Sequence, residues 1–299
     1  MAAVTLMRVA VVGSAGQLGT EVIRALTEAG AYEVTPLDHT RIECTDRVGV
    51  EDVLRASRPD VVVNCAGYVR VDDCEDQAET AFRINACGGF YIARACETIG
   101  AACVYVSTDY VFDGELGRSY TEDDAPRPIN VYGESKLAGE DLVRQASTRW
   151  LVVRLASLYG AAGARGKGGN FIETILAKAA RGDTLRVVAD IRMSPMYAVD
   201  AARALEALIR QRADGVVHVA NAGHCSWYEF ARQILELAQV PARLEPIRSA
   251  EYPAKARRPR DSSLASVRRE TSGSWGRPWQ EALRAYLIEK GHLVLVGDA

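Results

Sequence analysis

Short apolar, β-branched runs alternate with helix-periodic stretches through the first half of this chain. Residues 8–12 (RVAVV), 32–36, 61–64 (VVVN), 102–106 and 150–155 (WLVVRL) read as strands. Between them, 17–29, 48–57, 77–100 and 131–146 carry the 3.6-residue apolar period of helices. Strands that are apolar at nearly every position have both faces covered, and their alternation with helices predicts a parallel, doubly wound α/β sheet.

After Tyr159 the pattern loosens. Residues 160–170 (GAAGARGKGGN) read as a loop over a site or as a plain linker, followed by a helix at 171–181, a strand at 184–188 and a helix at 198–211. The remainder is punctuated by Pro241, Pro246, Pro253, Pro259 and Pro278 and reads as a smaller α/β lobe. The expected division is a sheet domain over 1–157, rejoined by about 184–211, with a substrate lobe from 158–183 and 212–299.

Composition narrows the function classes. The 299 residues are 48% hydrophobic and 25% charged, with a formal charge of −3, which argues against bulk nucleic-acid or anionic-membrane binding. No run of about 18 apolar residues occurs, and the apolar N-terminal stretch lacks the basic start of a signal peptide. Seven cysteines without a C-x-x-C pair, and histidines without H-x-x-x-H spacing, favour neither a disulfide framework nor a metal site. The expectation is a cytoplasmic protein with reduced thiols.

Gly13-Ser14-Ala15-Gly16-Gln17-Leu18-Gly19 follows the first strand and opens the first helix. Gly13 permits a tight turn, Gly16 lets backbone approach a pyrophosphate at the helix N-terminus, and Gly19 lets helix and strand pack closely. This is a Rossmann-type dinucleotide signal. Asp38, Arg41 and Glu43 follow the second strand as further cofactor candidates. A carboxylate there suits the ribose hydroxyls of NADH and an arginine the 2′-phosphate of NADPH, with the balance towards NADPH. Cys65-Ala66-Gly67-Tyr68 follows the third strand, where small residues let the cofactor pass.

Tyr132 and Lys136 stand four residues apart at the start of a helix, on one face. An ammonium there would lower the phenol's pKa towards working pH and could hold the cofactor ribose. Ser107-Thr108-Asp109 ends the preceding strand, at the edge where doubly wound sheets meet ligands. Thr108 can then orient a substrate carbonyl, with Ser107 near the cofactor.

Taken together, these blocks resemble an extended short-chain dehydrogenase/reductase, and more narrowly the dTDP-4-dehydrorhamnose reductase family. The likeness rests on the glycine turn, Val71-Asp72 with Glu75, Asn85, residues 107–114 (STDYVFDG), residues 131–140 (VYGESKLAGE), 169–171 (GNF), Arg258-Pro259 and Ser263-Leu264. It implies hydride transfer from NADPH, or NADH, to the C4 ketone of a nucleotide-linked 6-deoxy-4-keto sugar. Thr108, Tyr132 and Lys136 would be catalytic; Asp109, Tyr110 and Phe112 would lie towards the sugar; Asn170 and Arg258 would take the diphosphate. The cluster Lys255, Arg257, Arg258 and Arg260 fits that last role. Two stretches depart from the family pattern: Ser157 stands where relatives usually carry Trp, and 190–196 keeps only Asp190 and Pro195. Another nucleotide-sugar reductase or epimerase therefore stays open. So does a non-catalytic NADP-binding regulatory subunit like that of methionine adenosyltransferase. Fold analogy adds a homodimer paired through 77–100 and 131–146.

Overall fold

The computed structural model describes residues 6–162, 169–268 and 276–293; residues 163–168 of the glycine-rich stretch lie outside them. The apolar runs form one six-stranded, wholly parallel sheet. Its strands are β1 (Met7–Val12), β2 (Tyr32–Leu37), β3 (Val61–Asn64), β4 (Ala102–Thr108), β5 (Trp150–Leu155) and, later in the chain, β10 (Gly215–Val219). Their order is β2-β1-β3-β4-β5-β10, which reverses direction at β1. Alternation along each strand divides the core: Val9 and Val11 pack on one face, Ala10 and Val12 on the other. Helix α1 (Gln17–Ala29) and α8 (Ala198–Gln211) cover the first face. The second is covered by α2 (Arg47–Ser57), α5 (Gly88–Ile99) and α6 (Val131–Ala146).

Two expectations change. The stretch 77–100 is not one regular helix: α3 (Val71–Asp76) and α4 (Ala78–Phe82) precede a π-helical turn at Arg83–Cys87, which runs into α5. The extra residue in such a turn re-aims side chains, and here it carries Asn85. Within 184–211 the return to the sheet starts at α8 and not at the strand expected over 184–188. Apart from the main sheet, β6 (Leu158–Tyr159) pairs with β9 (Met196–Tyr197), β7 (Leu185–Val188) with β12 (Leu244–Ile247) and β8 (Arg192–Met193) with β11 (Cys225–Ser226), while α8 and β10 rejoin it.

The second lobe has its own core. Tyr159, α7 (Phe171–Ala180), β7, α9 (Trp227–Ala238) and α10 (Trp279–Glu289) bury Ile172, Phe230, Ile234, Leu283 and Tyr286 together. Among the described residues no helix is long and apolar enough to cross a membrane. α5 and α6, the segments expected to pair between subunits, pack on each other within the chain.

Candidate active site

The glycine turn sits at the carboxyl edge of β1, beside the strand-order reversal. Gly13 adopts φ +76°, and a Cβ there would meet the Ala66 nitrogen at 2.8 Å. Gly16 opens α1 with no side-chain cap and no acidic residue in the first turn. That leaves the positive end of α1 open to an anion, so these residues fit a dinucleotide's pyrophosphate. At the end of β2, Asp38 accepts from the Thr40 amide and hydroxyl, and Glu43 accepts from Thr45. Arg41 is exposed and its guanidinium donates one bond, to the Pro36 carbonyl. The free guanidinium face therefore belongs to Arg41, whereas Asp38 already has partners.

Beyond β3, the Asn64 side chain accepts from the Ala66 amide. Asn85 holds the next residues: its Oδ1 accepts from the Tyr68 amide, and its Nδ2 donates to the Tyr68 carbonyl and to Ser135 Oγ. The loop after β3 and α6 are thus pinned through one buried amide. Nothing but its place in the resemblance marks Asn85 in the sequence, because the π turn that aims it has no local signature.

Asn130 caps α6 by accepting from the Gly133 amide, which starts the helix one residue before Tyr132. A Cβ on Gly133 would come within 2.1 Å of the Tyr110 carbonyl, so glycine lets α6 close against the end of β4. Tyr132, Lys136 and Thr108 are all buried here. Thr108 Oγ1 donates to Asp109 Oδ1 at 3.0 Å and accepts from the Tyr110 amide. Ser262 donates to the other Asp109 oxygen. Tyr110 stands edge-on to Tyr132, with ring centroids 5.9 Å apart.

Burial pushes the Tyr132 phenol above its ordinary pKa, against a hydrogen bond with Thr108 that pulls it down. The expected lowering by Lys136 is corrected. The Lys136 ammonium donates one hydrogen bond, to the Val106 carbonyl at 2.6 Å, and lies over the Tyr105 ring face, 4.1 Å from its centroid. Burial lowers Lys136 itself to about 7, against the attraction of Glu140. A lysine titrating at 10.5 unfolded and near 7 folded binds fewer protons when folded between those values, so its contribution to stability improves as pH rises through that window. Urea unfolding at about pH 7 and about pH 9.5 should show wild type gaining on Lys136→Met at the higher pH. A gap independent of pH would contradict the buried ammonium.

The likeness of the whole chain to known proteins decides the family. The family model for the RmlD substrate binding domain matches residues 7–291. The chain belongs to that family. It is 40% identical to the spore coat polysaccharide biosynthesis protein SpsK of Bacillus subtilis, over 95% of this chain and 98% of that protein. A dTDP-4-dehydrorhamnose reductase of Mycobacterium tuberculosis is 37% identical, over 94% of this chain and 92% of its own. The crystal structure of dTDP-4-dehydrorhamnose reductase from Bacillus anthracis in complex with NADP superposes with a TM-score of 0.90 at 35% identity. It covers 95% of this chain and all of the other.

Several family-implied positions take other duties here. Phe112 is fully buried, stacked on Tyr120 at 4.1 Å, and so is core and not a sugar contact. Asn170 caps α7 by accepting from the Glu173 amide and donates to the Tyr286 hydroxyl and the Gly160 carbonyl, which uses up its amide. Ser107 gives its hydroxyl to Glu140, so its side chain faces α6 and not a cofactor. Asp109 is buried and held by Thr108 and Ser262. Arg258 forms a two-pronged ion pair with Asp72, and Lys255 pairs with Asp76. The basic cluster therefore meets the acidic α3, a pairing invisible in a net charge. Of the departing positions, Ile191, Met193, Ser194 and Met196 are buried in packing, Arg192 is exposed, and Ser157 is half-buried at the edge beyond β5.

Proposed function

We propose that this chain is an NADPH-dependent oxidoreductase that reduces the C4 ketone of a nucleotide-linked 6-deoxy-4-keto sugar, as dTDP-4-dehydrorhamnose reductases do in dTDP-rhamnose synthesis. The observation carrying this reading is Tyr132, Thr108 and Lys136 buried together at the carboxyl edge that also holds the glycine turn. The NADP-bound structural relative supports the choice of cofactor. NADPH, when bound, supplies the hydride. Tyr132 keeps its proton because burial disfavours the phenolate, and it gives that proton to the developing alkoxide. Thr108 orients the carbonyl oxygen, and Lys136 holds the ribose beside it. Arg41 takes the 2′-phosphate, and Arg258 reaches the diphosphate by exchanging Asp72 for it. Seven free thiols suit a reducing cytoplasm.

The test is loss of reduced-nicotinamide absorbance when the protein meets NADPH and dTDP-4-dehydrorhamnose. Turnover with the dTDP sugar but not its UDP or GDP counterparts would establish the nucleotide. Tight NADPH binding without turnover of any keto sugar would refute the enzyme reading.

A further inference from the structure

Behind the catalytic face, between β4, β5 and α6, lies a charged pair that the proposed reaction does not use. Glu140 is 1% exposed and Arg154 is 4% exposed. Arg154 Nε donates to Glu140 Oε1 at 2.9 Å and Nη2 to Oε2 at 2.6 Å, while Ser107 Oγ donates to Oε1 at 2.5 Å. The network continues outward. Arg154 can only donate, so its 3.4 Å contact makes His218 Nε2 an acceptor and leaves the proton on Nδ1 for the Ala265 and Tyr120 carbonyls. The His218 amide in turn donates to Glu122.

A buried ion pair adds little stability over well-packed apolar residues of the same volume, so its presence calls for another account. Position provides one. Glu140 stands one helical turn after Lys136, on the same face of α6. The other ionisable groups around the ammonium are Cys65, Cys44, Tyr105 and Tyr132. Burial pushes the Cys65 thiol up to about 12 and the Cys44 thiol up to about 11, and it raises both phenols. All four are neutral at working pH. Glu140 is therefore the one carboxylate among these groups that offsets the burial of Lys136.

We propose that Glu140, fixed by Arg154 and Ser107, is the positioning residue that keeps Lys136 charged inside the site and thereby sets the upper pH limit of the reaction. The inference rests on the reductase reading for the reaction, but its electrostatic core concerns this chain alone. Arg154 has a double part. It clamps the carboxylate in place, and its own charge keeps the field at Lys136 partial.

The experiment reads Lys136 directly by lysine-selective NMR, where it is one of five lysines, assigned with Lys136→Met. In Glu140→Gln, which keeps the acceptor for Ser107, the Lys136 midpoint should fall by about one pH unit. The basic limb of kcat/KM should move down with it. In Glu140→Gln/Arg154→Met, which removes both members of the ion pair and so strands no arginine, the midpoint should also fall, but by less. The double variant decides the matter if the single one does not fold. A midpoint unchanged or raised in the folded variant would overturn the proposal. Failure of every sugar nucleotide to react would strike only the functional reading, since the midpoint does not depend on the sugar.

Discussion

Tyr132→Phe is expected to reduce kcat by about 10²- to 10⁴-fold, the contribution typical of a positioned general acid, while NADPH affinity and folding stay close to wild type. Three observations carry this. The ring is buried and edge-on to Tyr110, so Phe occupies the same space and keeps that contact. The hydroxyl is the group removed, and burial keeps it protonated, the form a donor needs. Nothing else at this point can take over: the Thr108 proton is turned to Asp109, and the Lys136 ammonium to the Val106 carbonyl. Steady-state turnover beside a fluorescence titration of NADPH checks it. A variant within about threefold of wild type in kcat would remove Tyr132 from the reaction, being far short of a general acid's usual share.

What the sequence made legible is what short-range rules determine. Helix α1, helix α6 and strand β5 fall on the residues their periodicity indicates, since each carries its own apolar face and, in α6, its own cap at Asn130. The glycine turn and the Tyr132–Lys136 spacing are equally local. The failures share the opposite property. β10 is the sixth strand of the sheet, yet GVVHV resembles many edge segments until β5 is beside it. α3 is six residues long and mostly acidic, without an apolar period to announce it. Two of its acids, Asp72 and Asp76, acquire meaning through Arg258 and Lys255, far along the chain. Phe112 lies within the STDYVFDG block, but a short 3₁₀ turn at Asp109–Val111 sends its ring into the core against Tyr120. Motif membership placed these residues near the site, and only packing says which way each one faces. Glu140 and Arg154 belong here too: both stand in recognisable segments, yet their pairing depends on how α6 lies across β5.

Gly19→Ala should raise the Kd for NADPH by at least about tenfold, with a folding cost of about 1–3 kcal/mol from overpacking. A Cβ on Gly19 would lie 2.3 Å from the Gly13 carbonyl oxygen and 2.9 Å from Ser14 Cα, both backbone atoms without a rotamer to yield. Either α1 lifts from the turn or the turn itself moves. Movement of the turn is blocked on its far side, where Gly13 already lies against the backbone of Cys65 and Ala66. The helix must therefore shift, carrying with it the N-terminal amides on which pyrophosphate binding relies. Gly30→Ala is the control at the other end of the same helix. Its φ of +66° makes alanine strained there, but nothing lies within 4 Å of the new Cβ. That variant should lose about 1 kcal/mol of stability and keep its affinity for NADPH. Thermal unfolding and NADPH titration on both variants separate the two effects. If both lost affinity equally, the weakening would follow from a destabilised α1 and not from the close approach of Gly19 to Gly13. If neither did, the glycine turn would have no part in holding the cofactor.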